Sequence, residues 1–220
     1  MWRSGWRAWW RVCALMTAAA AAYATPPEMS AAPQRRADGL SADAGHLVTW
    51  VRDTAENQGR PFAVVDKREA RIYLFDGAGR PAGDSAVLLG QTPGDLGFDL
   101  ADRHPYSLPP IERTTPAGRF VSRPGHNDKG EAVVWFDYAA ALAIHRLRPA
   151  PPAQRRAQRL DSPTPDDNRV SLGCVIVPEA FFDAVVAPLL GRQRGVVYVL
   201  PESMPVRAMF SGFALAQNAF

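Results

Sequence analysis

Short apolar runs, each stopped by glycine, proline or a charged turn, leave this chain little choice of fold. Phe62-Ala63-Val64-Val65-Asp66 and Arg71-Ile72-Tyr73-Leu74-Phe75 are separated by Lys67-Arg68-Glu69-Ala70 and predict a hairpin. Asp76-Gly77-Ala78-Gly79-Arg80 is a turn into a further strand near Ser85 to Leu89. Thr115-Pro116-Ala117-Gly118-Arg119-Phe120 turns into another strand, and Ala132 to Asp137, Ala141 to His145 and Val196 to Leu200 add three more. Helical spacing is confined to Leu47, Val48, Trp50, Val51 and Ala55, ending near Gly59, and to Phe181, Phe182, Val185 and Val186, broken by Pro188 and Gly191. The expectation is a mostly β sandwich or barrel with one or two short helices.

The ends read differently. Arg3, Arg7 and Arg11, the apolar run Val12 to Ala22 and the small-x-small triplet Ala22-Tyr23-Ala24 have the pattern of a secretory signal peptide over residues 1–24. Export to the periplasm or cell envelope is therefore expected. Residues 25–45, rich in Pro, Ala, Ser and charge, read as a flexible linker. Residues 46–203 form the expected folded domain, and 204–220 a C-terminal tail. The full chain carries 25 Lys+Arg against 22 Asp+Glu, and the three leader arginines account for the excess. A formally neutral remainder offers no basic patch, so a nucleic-acid partner is not expected.

Without the leader, Cys174 is the one remaining cysteine, so no internal disulfide is expected. It stands in Ser171-Leu172-Gly173-Cys174-Val175-Ile176-Val177-Pro178. Gly173 permits a backbone conformation closed to other residues, and the amides of such a turn can face an oxyanion formed when a thiolate attacks a carbonyl. A lone cysteine is more often a small buried hydrophobe, and both readings stand on the residues alone. A nucleophile needs a base. His46 lies in the leading helix, and His104 and His126 lie in loops. His145 closes the apolar strand Ala141-Leu142-Ala143-Ile144 and is the candidate whose position a sheet would hold. Two long loops rich in proline, Gln91 to Thr114 and Arg146 to Arg169, are candidate walls of a cleft over the thiol. No metal-ligand spacing, phosphate loop or dinucleotide fingerprint occurs, so neither a metal nor a cofactor is expected.

Taken together, the strand–turn–strand start, Thr115-Pro116-Ala117-Gly118-Arg119-Phe120, the strand-end His145, Ser171-Leu172-Gly173-Cys174 and the closing Val197-Tyr198-Val199-Leu200-Pro201 resemble an L,D-transpeptidase catalytic domain of the YkuD type. The resemblance covers about residues 61–202. It implies a β-rich domain that cross-links or modifies peptidoglycan, with peptidoglycan stem peptides as partners. It implies Cys174 as nucleophile, His145 as base, the backbone carbonyl of Arg146 as the group orienting that base, and the turn Ser171, Leu172, Gly173 with Cys174 as the source of the oxyanion hole. Three positions depart from the family's pattern: Leu172 stands where His is common, Ile176 where Arg or Asn is common, and Arg146 where Gly is common. Arg155, Arg156 or Arg169 are candidates to supply the charge missing at Ile176. The other reading is a non-catalytic cell-wall peptide-binding module of the same fold, and an unrelated Cys–His peptidase fits the strand order poorly. Oligomeric state is open.

Overall fold

The computed structural model describes residues 39–98, 100 and 103–210. The leader, the linker up to residue 38 and the last ten residues of the tail lie outside the described residues. The domain is mostly β. In chain order the strands are β1 (Phe62–Asp66), β2 (Arg71–Phe75), β3 (Pro81–Ala86), β4 (Leu89–Gly90), β5 (Gly118–His126), β6 (Ala132–Asp137), β7 (Leu142–Arg146), β8 (Arg169–Ser171), β9 (Val175–Val177) and β10 (Gly195–Val199). Eight of them form one sheet in the order β3-β2-β1-β10-β5-β6-β7-β9, and β4 pairs with β8 in a small second sheet. Within the large sheet, β1 with β10 and β7 with β9 are parallel; its other pairs are antiparallel.

The hairpin β1–β2 falls where the apolar runs placed it. Both strands, and β10 beside them, are buried on both faces, because alternate residues enter two different cores. Ala63, Val65, Ile72, Leu74, Val197 and Val199 join the larger core. Phe62, Val64, Tyr73, Phe75, Val196 and Tyr198 join the second. Cross-strand register aligns the second set, pairing Phe62 with Phe75 and Val64 with Tyr198, and the Phe62 and Phe75 rings stack at 4.7 Å.

The leading helix α1 (Ala42–Thr54) covers that second core with Ala44, Leu47, Val48 and Val51, the spacing of one helical face. Ser41 caps it by accepting the Ala44 N–H at 3.1 Å. Val206 and Phe210, in and just after the short helix α5 (Val206–Met209), also bury in this core.

Three local expectations differ from the structure. The strand expected at Ser85 to Leu89 is instead a crossing. Ala86 ends β3, the Val87 N–H turns to the Ala70 carbonyl, and Leu88 exchanges both backbone hydrogen bonds with Ile176 of β9, at 2.8 and 2.9 Å. This segment links the two edges of the large sheet, and the sheet all but closes. Ala141, expected in a strand, has φ 54° and completes the turn before β7. Pro188 does not break its helix. The chain runs through α3 (Glu179–Phe181), a π-helical turn (Phe182–Val186) and α4 (Ala187–Leu190), with Gly191 after it. A wider turn just before Pro188 relieves the clash its ring makes in regular α-helix.

One buried ionic cluster ties the long loop after β4 to the sheet. Lys67, at the end of β1, has a fully buried side chain. Its Nζ donates to Asp95 Oδ1 at 2.9 Å, to the Thr115 carbonyl at 3.0 Å and to the Gly94 carbonyl, with Glu202 Oε1 at 3.4 Å. Arg169 closes the cluster on Glu202 and on the Lys67 carbonyl. Burial alone would raise the Asp95 pKa. Hydrogen bonds from the Ser203 side chain, the Glu202 amide and Lys67 outweigh it and hold the carboxyl at about 2, below its ordinary 3.8. Lys67→Met leaves two carboxylates without their shared cation and should cost about 3–5 kcal/mol in urea unfolding. Asp95 contributes stability as the anion, so the destabilisation by Asp95→Asn should be largest above about pH 4 and shrink as pH falls toward 2. Melting curves of both proteins against pH check this; a difference independent of pH over that window contradicts it.

Candidate active site

The turn Ser171–Cys174 sits between β8 and β9, where the chain leaves the small sheet for the edge of the large one. Gly173 has φ 133°, in the region that favours glycine. There is also no room for a side chain. A Cβ on Gly173 would meet the Thr114 carbonyl oxygen and Leu142 Cδ2, each at 2.8 Å.

Two hydroxyls hold the turn. The Ser171 Oγ–H donates to the Cys174 carbonyl at 2.7 Å, and Ser171 Oγ accepts the Gly173 N–H at 3.0 Å. The Thr115 Oγ1–H donates to the Gly173 carbonyl at 2.9 Å, while Thr115 Oγ1 accepts the Gly90 N–H at 2.9 Å. Thr115 is therefore a clamp between β4 and the turn, and its own carbonyl is held by Lys67. The Gly173 amide is engaged within the turn; the Leu172 and Cys174 amides are the other members of the expected oxyanion set.

Cys174 is partly buried, and its thiol donates weakly to the Ala141 carbonyl at 3.7 Å. Burial pushes its pKa up. A backbone hydrogen bond from Ala143 and the charges of Arg148 and Arg156 work against that rise without cancelling it. His145 lies on the neighbouring parallel strand, opposite Ile176 and thus two residues along β9 from the thiol. Its ring is buried. Its Nδ1 is 2.7 Å from the Arg146 carbonyl oxygen. A carbonyl can only accept, so Nδ1 carries the proton and Nε2 keeps the lone pair. Burial, with the positive charge of Arg148 and Arg156, lowers the His145 pKa to about 4, although the Arg146 carbonyl and Glu131 oppose this. At neutral pH Cys174 is thus a thiol and His145 a neutral imidazole with the proton on Nδ1 and the lone pair on Nε2.

The remaining candidates are placed elsewhere. His46 and His126 are exposed, and His104 caps the 3-10 turn Pro105–Ser107 and stacks on Tyr106. The Arg146 side chain does not meet the His145 ring that its carbonyl touches: it pairs with Asp183 at 2.5 Å and lies over the Phe182 ring. That explains why an arginine stands there, since only its backbone meets His145. Arg169 belongs to the Lys67 cluster, and among the described residues no three or more His, Cys, Asp or Glu are grouped to hold a metal ion. The first long loop lines a cleft of about 580 Å³ with Gly94, Asp95, Phe98, Glu112 and Thr114. Phe98 and Thr114 also touch the Gly173 turn. Lys67, Asp95 and Arg148 carry no signal in the sequence, because their partners are distant along the chain; Thr115 stands in a recognised turn whose clamping role needs the fold to see.

Gly173→Ala should lose at least about 1–3 kcal/mol of stability, from the unfavourable φ and the two close contacts. Thr115→Val removes one hydroxyl from the clamp and should slow modification of Cys174 by maleimide or iodoacetamide, with Thr115→Ser close to wild type. Equal rates in Thr115→Val and wild type contradict the clamp.

No protein-family model matches this chain, and no curated protein matches it. Solved structures do. An L,D-transpeptidase from Xylanimonas cellulosilytica is 16% identical over 64% of this chain and 60% of its own, with a TM-score of 0.41. An L,D-transpeptidase from Mycobacterium smegmatis is 12% identical over 64% of this chain and 58% of its own, with a TM-score of 0.40. A helical cell shape determining protein from Campylobacter jejuni is 12% identical over 71% of this chain and 56% of its own, with a TM-score of 0.42. The chain thus spans about three fifths of the length of these proteins, and the solved structures it is similar to include L,D-transpeptidases.

Proposed function

We propose that this protein is a cysteine acyltransferase acting on peptidoglycan stem peptides, an L,D-transpeptidase that builds or modifies the cell wall. The observation that carries the proposal is that Cys174, directly after a glycine at φ 133°, leads into the strand beside the one that holds His145, whose tautomer is set by the Arg146 carbonyl. Attack begins when the thiol proton passes to His145 Nε2 and Sγ adds to the carbonyl carbon of the donor's L,D peptide bond. The Leu172 and Cys174 amides receive the oxyanion. As the tetrahedral species collapses, the C–N bond breaks and the imidazolium returns the proton to the leaving amine, giving a thioester on Cys174. A stem-peptide amine then attacks the thioester, His145 takes its proton, the thiolate leaves, and the imidazolium returns that proton to Sγ. The leader residues support work in the periplasm or cell envelope. Among the described residues, no helix is long and apolar enough to cross a membrane.

A second reading, a cell-wall peptide-binding module without turnover, is favoured by the raised thiol pKa and by the engagement of the Gly173 N–H with Ser171.

Muropeptide incubation followed by mass spectrometry of product and protein separates them. Turnover requires an acyl adduct on Cys174 that Cys174→Ala abolishes; a carbapenem, with its strained carbonyl, should give the same dependence. His145→Ala should slow acylation by about 10²–10⁴-fold. The shape of the pH profile is the sharper test. A neutral base with pKa about 4 stays competent as pH falls, so the wild-type rate should be nearly flat above about pH 5 until the thiol itself ionises. His145→Ala, which depends on free thiolate, should rise about tenfold per pH unit across the same range. Parallel profiles remove His145 from the role of base, and binding without any adduct favours the second reading.

A further inference from the structure

One face of the large sheet is covered at both ends and open in the middle. At one end α1 covers Val196 and Tyr198 of β10. At the other, Ile176 of β9 is buried with Leu88 and with Leu160 of α2 (Arg156–Leu160). Val121 stands opposite Val196, Trp135 opposite both Arg123 and Ala143, and His145 opposite Ile176, so these side chains all share that face. In the strip between the covers, Val121 is 43% exposed, Arg123 is exposed and Trp135 is half-buried. Tyr138, directly after β6, is 68% exposed. The Trp135 and Tyr138 rings meet edge to face, 5.3 Å apart at 79°. The indole lies against bare backbone at Gly125, where an added Cβ would come within 2.6 Å of its Cδ1 and Nε1.

The strip leads to the thiol. The β7–β9 register pairs Ile144 with Val175, so the residues before them, Ala143 and Cys174, stand level. The Cys174 thiol donates to the Ala141 carbonyl at 3.7 Å, and the Ala141 N–H closes a turn on the Tyr138 carbonyl at 3.1 Å. Trp135 is thus two strand spacings from Cys174, about 10 Å, with the small Ala143 between them.

We propose that Trp135 and Tyr138 form a platform on which a pyranose ring of a glycan strand stacks, in line with Cys174. A pyranose offers a face of C–H groups to an aromatic ring and a rim of hydroxyls to polar groups. The strip sets two aromatic rings beside Arg123, which supplies N–H donors for such a rim. Three apolar side chains are far too few for a stable protein partner, which takes about 20–30 residues a side. The attached peptide rests on the acyltransferase reading. About three stem residues lie between the sugar and the L,D bond, and they span roughly 10 Å when extended, which matches the separation of Trp135 and Cys174. The preferred donor is therefore a stem still linked to its glycan.

The test uses the full chain with glycan strands stripped of peptide by an amidase, with free stem peptides, and with muropeptides that keep both parts. Trp135→Ala should weaken binding of the stripped glycan about tenfold, the scale of one lost aromatic stack. Tyr138→Ala should weaken it less, and Trp135→Phe should retain most of it. Ile111→Ala, which removes an exposed apolar side chain outside the strip, should change nothing. Muropeptides should acylate Cys174 faster than free stem peptides, and Trp135→Ala should remove that advantage. The proposal is overturned if the wild-type protein does not bind stripped glycan, or if Trp135→Ala and Tyr138→Ala, with wild-type melting, bind it unchanged. A dimer that Trp135→Ala dissolves in sedimentation also overturns it, since a second copy would then cover the strip. If neither peptide-bearing ligand acylates Cys174, the acyltransferase reading falls, and the stripped-glycan titration still upholds or overturns the platform.

Discussion

A single buried ammonium, that of Lys67, ties the segments that follow β1 and β10 and precede β5 to a loop outside the sheet. It binds the Gly94–Asp95 loop, the carbonyl of Thr115 and, with Arg169, the Glu202 carboxylate after β10. Thr115 passes that restraint to the carbonyl of Gly173 through its hydroxyl. Without the ammonium, Asp95 would be a buried carboxylate lacking its cation, and the loop would lose its reason to stay. The turn that carries Cys174 is thus held from behind by charge and from within by Ser171.

The chemistry at the front of that turn is set by the opposite condition, a shortage of charge on the reacting pair. Burial raises the thiol and lowers the imidazole, so the two are not poised as an ion pair at rest. For the proposed acyltransferase this means that proton transfer accompanies attack, with Nε2 as the acceptor because the Arg146 carbonyl holds the proton on Nδ1. The positive charges of Arg148 and Arg156 act in the same direction on His145, favouring its neutral form.

The apolar runs made much of the fold legible. β1, β2 and β6 lie where hydrophobic alternation and turn residues put them, because local pattern and burial agree there. Of the α1 face, Leu47, Val48 and Val51 were legible for the same reason, whereas Ala55 lies past the helix end at φ 51° and is exposed. Pattern misled at Leu88, at Ala141 and at Pro188. Leu88 reads as strand but changes neighbours to meet Ile176; Ala141 is apolar yet adopts φ 54° in a turn; and the helix absorbs Pro188 through a π-turn. Each depends on contacts that local propensity does not encode.

By itself the sequence determined a mostly β domain, a glycine-bound cysteine and a histidine at a strand end, because these follow from periodicity and from the conformations glycine allows. The tertiary structure alone decided which histidine nitrogen holds the proton and that the Arg146 side chain serves the helix while its carbonyl meets His145. Those outcomes depend on distances between residues far apart in the chain, and electrostatics and hydrogen bonds act over distance in space, to which sequence separation is a poor guide.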